Sequence, residues 1–474
     1  MVVMSQLDDQ IDAFVWQPHY AQHLTPLWQE LPAANRGKYY VSTHMHNMNG
    51  CGLPPEVVCV ENPYELCEQL EVRPRLLIIP DDRDCMIYFL ERPLARLSHG
   101  VGQSYIDEKK VPGNRKNVIV DLLPGSASRE IFEEKHPETT KIVAGSPKMD
   151  RWAGFKKERD HPPTVGISFH FNHKAVPETR GTFPHYKSIL PELAANNEWK
   201  LLGHGHPRFI DELIPFYEEL GIDWTRDFKE ILRRADLYVC DSPSTLYEFA
   251  FTDRPVVVLN APWFRRDVEH GLRFWKYADV GIQCDGPEEL SLAIRKALRD
   301  DLPQPRLRKQ AVNEVYNVTD GTAGETMARR LVDFVRRTEV DVNSLETPST
   351  NYPGLVKLLN KAVSGGRIEQ PLWLAPQGMV AEFILERKDR LEFSLAGILD
   401  RSPQQSKHTE GIVLKKYSEQ FEGSVLITSH RWGEEIEEEL LESESFRGKI
   451  YNLFTEFEES FPWIIRELNL LKEV

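Results

Sequence analysis

The chain has 474 residues, of which 58 are Lys or Arg and 73 are Asp or Glu, giving a formal net charge of −15. With 41% apolar and 28% charged residues it has the composition of a chain that builds large cores, which excludes a disordered one. So acidic a chain offers no general basic surface to displace counterions, and a nucleic-acid partner is not expected.

At about 150 residues per domain the length suggests roughly three domains. No apolar run reaches the ~18 residues of a membrane span. The opening MVVMSQLDDQIDAF has neither a basic start nor a continuous apolar stretch, so no secretory signal is read there. The cysteines (Cys51, Cys59, Cys67, Cys85, Cys240, Cys284) form no CxxC pair and lie in or beside apolar runs. They read as reduced, mostly buried thiols of a cytoplasmic protein.

Taken along the chain, Leu76–Ile79 is the first clear run of a strand buried on both faces. Leu97-Ser98-His99-Gly100-Val101-Gly102 follows, with two glycines that let the backbone approach a ligand closely. KKERDHPP, 156–163, breaks the pattern with charge and two prolines. Val165–Phe169 is a second strand. The apolar segment ending at Leu202 then runs into Gly203-His204-Gly205-His206-Pro207-Arg208, placing the histidines at the carboxyl end of a strand, the edge where open α/β sheets bind ligands. Asp227–Ala235 has helical spacing, and Leu237–Cys240 is a third strand. Ser244–Thr252 is helical, Val256–Leu259 is a fourth strand, and Glu288–Arg299 and Thr322–Arg337 are helices. DVNSLETPSTNYP, 341–353, is a second polar, proline-marked break. Three segments result: 1–155, 160–340 and 355–474. Buried strands alternating with helices argue for α/β architecture with parallel sheets.

The most informative stretch is ADLYVCDSPSTLYEFAFTDRPVVVLN, 235–260. A strand runs into Asp241, and Ser242 then suits a helix N-cap and Pro243 the first helical position. Ser244 and Thr245 fall in the first turn, where unpaired N–H groups and the helix dipole favour an anion. Glu248, four residues after Ser244, shares its face and can reach a ribose or sugar hydroxyl. The same residues also suit a well-capped structural helix, and capping chemistry alone does not choose between the two. Histidine fits a general base near neutral pH, and protonated His206 or Arg208 would neutralise a diphosphate. No protein-held metal is expected: Asp81, Asp82 and Asp84 cluster, but no calcium-loop spacing follows.

The last segment reads as strand, Gly378, helix, then a strand in Glu392–Asp400 ending in acid, then Ser424–Ser429. This approximates a small dinucleotide-fold half without the full G-x-G-x-x-G, so no cofactor is expected there. It resembles the short Rossmann-like pieces appended to sugar-modifying methyltransferases and acetyltransferases, which suggests a docking or oligomerising accessory domain. Nothing in the sequence sets an oligomeric state. The acidic run Glu434–Glu444 reads as a solvated helix face.

In this order, the motifs resemble those of the CDP-glycerol glycerophosphotransferase (teichoic acid polymerase) family of GT-B transferases. The resemblance rests on SHGVG at 98–102, Gly145-Ser146-Pro147-Lys148-Met149-Asp150, His206-Pro207, Asp241 to Glu248, and Asp320-Gly321-Thr322-Ala323, and spans residues 75–340. It implies two Rossmann-type lobes facing a cleft, a nucleotide-diphosphate donor held by the second lobe, and His99 as the base. It further implies His206 as a second essential histidine near the donor phosphates. Donor-side residues would be Gly100, Gly145, Pro147, His204, Pro207, Arg208, Asp241, Ser242, Ser244, Thr245 and Glu248. The acceptor would be a polyol or glycan hydroxyl, lipid-linked where the product is a surface polymer, with any contact to the inner membrane face peripheral. The family's HGT-P loop is replaced here by Val101 and Gly102, its Tyr by Ser242 and its last Asp by Glu248. Those departures open the donor to NDP-sugars as well as CDP-glycerol. A nucleotide-sugar 2-epimerase or hydrolase on the same frame, and a non-catalytic nucleotide-binding scaffold, are the rival readings.

Overall fold

The apolar runs become strands buried on both faces of parallel sheets. The computed structural model describes residues 4–16, 18–42, 52–60, 74–80, 92–98, 101, 117–171, 181–241, 243–264, 280–341, 354–406, 408–429, 433–443, 446–457 and 464. His99, Gly100, Ser242, the Asp81, Asp82 and Asp84 cluster, and Cys51, Cys67 and Cys85 lie outside these. The chain forms two units, Met1–Leu345 and Glu346–Val474.

In the first unit, β1 (Met4–Gln6) precedes seven parallel strands: β2 (Ile11–Val15), β3 (Arg36–Ser42), β4 (Val58–Val60), β5 (Leu77–Ile79), β6 (Leu94–Leu97), β7 (Val118–Leu123) and β8 (Thr140–Val143). Their order is β4-β3-β2-β5-β6-β7-β8. Every described side chain of β2, β5 and β6 is buried, as a parallel sheet covered on both sides requires. Helix α1 (Pro18–Glu30) and helix α2 (Ser126–Lys135) belong to this lobe.

The second lobe has six parallel strands: β9 (Thr164–Phe169), β10 (Lys200–Gly205), β11 (Asp223–Trp224), β12 (Leu237–Cys240), β13 (Val256–Leu259) and β14 (Ile282–Cys284), in the order β11-β10-β9-β12-β13-β14. Its first strand is central. The chain winds outward to β10 and β11 on one side, then returns to lay β12, β13 and β14 on the other. The connections after β9 and β12 therefore diverge, and doubly wound sheets open a crevice at such a switch point. Helices α3 (Ile210–Glu219), α4 (Phe228–Arg234), α5 (Pro243–Ala250) and α6 (Leu290–Arg299) flank the sheet. Cys240 and Cys284 are buried, whereas Cys59 in the first lobe is exposed.

Two helices tie the lobes together. Helix α7 (Gln304–Val315) packs on both α2 and α5. Gly125, at the start of α2, has no room for a Cβ, which would meet the Val315 carbonyl oxygen at 2.2 Å. Helix α8 (Ala323–Arg337) packs against α1 and the 3-10 turn Pro147–Trp152, and β15 (Glu339–Asp341) then pairs antiparallel with β1. The chain thus returns to the first lobe after building the second.

The second unit contains α9 (Leu355–Ser364), α10 (Met379–Glu386) and α11 (Gly433–Glu442). Its parallel sheet comprises β16 (Leu372–Ala375), β17 (Leu395–Asp400), β18 (Leu414–Lys416), β19 (Ser424–Ile427) and β20 (Ile450–Asn452), ordered β18-β17-β16-β19-β20. It is a small doubly wound α/β module with β16 at its centre. Among the described residues no helix is long and apolar enough to cross a membrane.

Candidate functional site

The carboxyl ends of β9, β10 and β12 bring four of the singled-out residues and two unexpected ones to the same rim. After β10, His206 donates its backbone N–H to the Phe169 carbonyl at 3.0 Å, fastening this loop to the end of β9. Its Nδ1 accepts from the Arg208 backbone N–H at 3.1 Å. In the neutral ring the proton therefore sits on Nε2, which makes that nitrogen a donor. The His206 ring lies 4.7 Å from that of His170 and 4.6 Å from that of Phe171, centroid to centroid. Pro207 and Arg208 are exposed, and the Arg208 guanidinium stands 5.6 Å over the Phe171 ring.

Asp241 braces the switch point. It is 1% exposed, and its carboxylate accepts from the His170 N–H at 2.8 Å, the Thr182 N–H at 2.7 Å and the Thr182 hydroxyl at 3.0 Å. One acidic side chain at the end of β12 thus fixes the departure from β9 and the segment returning at 181–182. Gly181 permits this closeness, since a Cβ there would meet the His170 carbonyl oxygen at 2.0 Å.

His204 is the last inward-facing side chain of β10 before the rim, and it is buried. Its Nδ1 pairs with the Ser168 hydroxyl at 2.9 Å, and its ring packs 5.5 Å from Phe228. Burial pushes its pKa down to about 4, against a weak opposing pull from Asp227, so it is neutral at physiological pH.

Helix α5 begins at Pro243. Ser244 and Thr245 occupy its first turn, and both are half-buried. The Thr245 hydroxyl accepts from the Tyr238 hydroxyl at 3.1 Å. The Ser244 hydroxyl makes a long contact, 3.5 Å, to the carbonyl of Val101 in the first lobe. Val101 stands two residues after His99 in the sequence and joins the core formed by Tyr238, Leu246 and Tyr247. One turn further along the same face, Glu248 is buried and accepts from Lys148 Nζ at 2.6 Å. The first turn of α5 and the segment following β6 therefore meet across the lobes.

The other two motifs interlock with each other. Gly145 has φ +86°, and a Cβ there would come within 2.6 Å of the Ala323 Cβ. Pro147, itself buried, opens the 3-10 turn, and Asp150 accepts from the N–H groups of Ala323 and Gly324 at 3.0 and 2.7 Å. Asp150 thereby caps α8. Burial raises its pKa, partly offset by those two bonds. Asp320 binds the Thr322 N–H and hydroxyl at 3.1 and 2.7 Å, shaping the turn into that helix.

Sequence reasoning passed over His170, Phe171 and Thr182, and it named Lys148 only within the 145–150 motif, without a role. The signal for His170 was available: it follows the last apolar residue of a strand, the same rule that singled out His206. Thr182 and Lys148 carry no local signal, because their partners are 59 and 100 residues away. Among the described residues no group of three or more His, Cys, Asp or Glu is placed to hold a metal ion.

Two Rossmann-type lobes joined by a returning helix are the GT-B architecture. The wall teichoic acid polymerase TagF shares this fold, with a TM-score of 0.50 at 13% identity over 71% of this chain and 90% of that one. A UDP-GlcNAc 2-epimerase of Methanocaldococcus jannaschii, in complex with UDP-GlcNAc and UDP, scores 0.49 at 14% identity over 68% and 99%. S. aureus MnaA with UDP scores 0.49 at 14% identity over 72% and 99%. No family model and no curated protein matches the sequence.

Proposed function

We propose that the chain is a GT-B transferase that moves a glycerophosphoryl or glycosyl group from a nucleotide-diphosphate donor to an acceptor hydroxyl. The observation that carries this reading is the meeting of Ser244 with Val101 across the lobes, beside a switch point rimmed by His206, His170 and Arg208. Such a place suits an anion: the first turn of a helix leaves backbone N–H groups without intrahelical partners, and the rim of the same sheet carries the Nε2 donor of His206 and the exposed guanidinium of Arg208.

In this reading Ser244, Thr245, His206 and Arg208 hold the diphosphate, Glu248 accepts from a donor hydroxyl, and His99 takes the proton of the acceptor. Asp241 and His204 hold the rim in place from beneath. Glycerophosphoryl transfer joins the acceptor oxygen to phosphorus, breaks the bond between the two phosphates and releases a nucleoside monophosphate. Glycosyl transfer joins the acceptor oxygen to the anomeric carbon and releases a nucleoside diphosphate. Fixed donors and cations stabilise either leaving group without requiring a resident metal. A surface polymer, built at the inner face of the membrane, is the product class the reading favours.

A panel of CDP- and UDP-linked donors, incubated with and without polyol and glycan acceptors, tests it. Acceptor-dependent nucleotide release is expected, and whether mono- or diphosphate appears identifies the group moved. His99→Ala should lower the rate at least about tenfold, since a general base typically contributes about 10²–10⁴-fold. Donor turnover independent of acceptor would replace the reading with an epimerase or hydrolase. Binding without turnover, unaltered by His99→Ala, would leave a scaffold.

A further inference from the structure

Within 145–150, packing accounts for Gly145, Pro147 and Asp150, but not for Lys148. Its side chain leaves the first lobe, with only 13% of its surface exposed, and places Nζ 2.6 Å from Oε1 of Glu248 in the second lobe. On its other side Nζ reaches Nε2 of His23, on α1, at 3.5 Å. Glu248 is 4% exposed, and its second oxygen, Oε2, is buried without a hydrogen-bond partner among the described residues. A buried carboxylate oxygen left unpaired is unfavourable, and native proteins leave few of them unless a ligand supplies the donor. Glu248 lies one helical turn beyond Ser244, on the face of α5 that touches Val101.

Lys148 satisfies one oxygen and leaves the other to receive. We propose that Lys148 is a positioning residue: it pins Glu248 through Oε1 so that Oε2 accepts from the ribose diol of a nucleoside diphosphate. This rests on the donor reading given above. A glutamate has three free torsions, and a single short charge-assisted bond is what selects one of its orientations. Because lysine and glutamate belong to different lobes, the acceptor geometry exists only when the lobes stand together as they do here. Recognition of the nucleoside is thereby coupled to lobe juxtaposition.

The test measures binding of UDP and CDP, and of their 2′,3′-dideoxy analogues, to the full chain by calorimetry. The wild type should prefer the ribonucleotides by about tenfold or more, the usual worth of a hydrogen bond to a charged group. Lys148→Met should bring that preference close to one while changing affinity for the dideoxy analogues less than about twofold, and Lys148→Arg should restore it. Lys148→Gln, which keeps a donor for Oε1, serves if Lys148→Met does not fold, and should retain part of the preference. A preference unchanged in Lys148→Met, or in Lys148→Gln where that variant stands in, overturns the inference. So does a wild-type preference near one. Absence of binding by every nucleotide would overturn the donor reading itself, and the role of Lys148 with it.

Discussion

The second lobe of the first unit and the C-terminal module solve the same construction problem with different outcomes. Each is a doubly wound parallel sheet with its first strand, β9 or β16, in the middle. In each, an aspartate at a strand end accepts backbone N–H groups from neighbouring loops. Asp241 takes those of His170 and Thr182, while Asp400 takes those of Gln377 at 3.0 Å and Ser402 at 2.8 Å. Beyond that carboxylate the two part. Around Asp241 stand histidines, an arginine and the first turn of α5. Around Asp400 the polar groups serve one another. Gln377 exchanges bonds with Gln404 and donates to Glu382, Ser406 donates to Glu382, and the Thr428 hydroxyl donates to the carbonyls of Ala375 and Pro376. A crevice is a property of the fold; donors directed outward are a property of the residues placed on it.

Removing the two aspartates tests that contrast most severely. Asp241→Ala deletes a 1%-exposed carboxylate and leaves three donors in a closed interior, so a loss of about 3 kcal/mol or more is expected. Nucleotide-dependent stabilisation should disappear with it. Asp400→Ala removes two bonds at a half-buried rim and should cost about 1 kcal/mol, leaving nucleotide-dependent stabilisation intact. Calorimetric unfolding of the full chain with and without UDP or CDP measures both. Equal effects on nucleotide response would erase the functional distinction between the two crevices. A somewhat smaller effect is expected from His206→Ala, which should lower donor turnover about a hundredfold while leaving the unfolding temperature within a degree or two. That range is typical of a lost donor to a developing negative charge. Unchanged turnover, measured under saturating donor, would take His206 out of the diphosphate site.

Much of the sheet architecture was legible because parallel strands covered on both faces appear as unbroken apolar runs, and this is how β5, β9, β12 and β13 declared themselves. Helix α5 was legible from proline at its first position, and α8 from its spacing. What periodicity cannot say is which sheet a helix covers. Helix α8 follows the second lobe in the chain yet packs on α1, because Asp150, 173 residues before Ala323, caps its start. The same blindness governs the site. His206 could be placed at a strand end from its neighbours alone, but the brace formed by Asp241 depends on Thr182, and the orientation of Glu248 depends on Lys148. Burial also separated two histidines that look alike in sequence. His206 reaches the rim, whereas His204, two residues earlier, is closed in by Ser168 and Phe228.

That last difference has a pH signature. His204 titrates near 6.5 when unfolded and at about 4 when folded, because burial disfavours the imidazolium. Between those values the unfolded chain binds a proton that the folded chain does not, so acid favours unfolding. Its contribution is fully present above pH 6.5 and drains away as pH falls toward 4. At pH 5.5 a loss on the order of 1 kcal/mol relative to neutral pH is expected. His204→Asn keeps a polar partner for Ser168 but cannot take up the proton. The difference in unfolding free energy between wild type and variant should therefore shift by that amount between pH 7.5 and 5.5, since carboxylates common to both cancel. A constant difference across the range would mean that His204 can charge within the fold. The interior beneath the rim would then be wetter than the close packing of Ser168 and Phe228 allows.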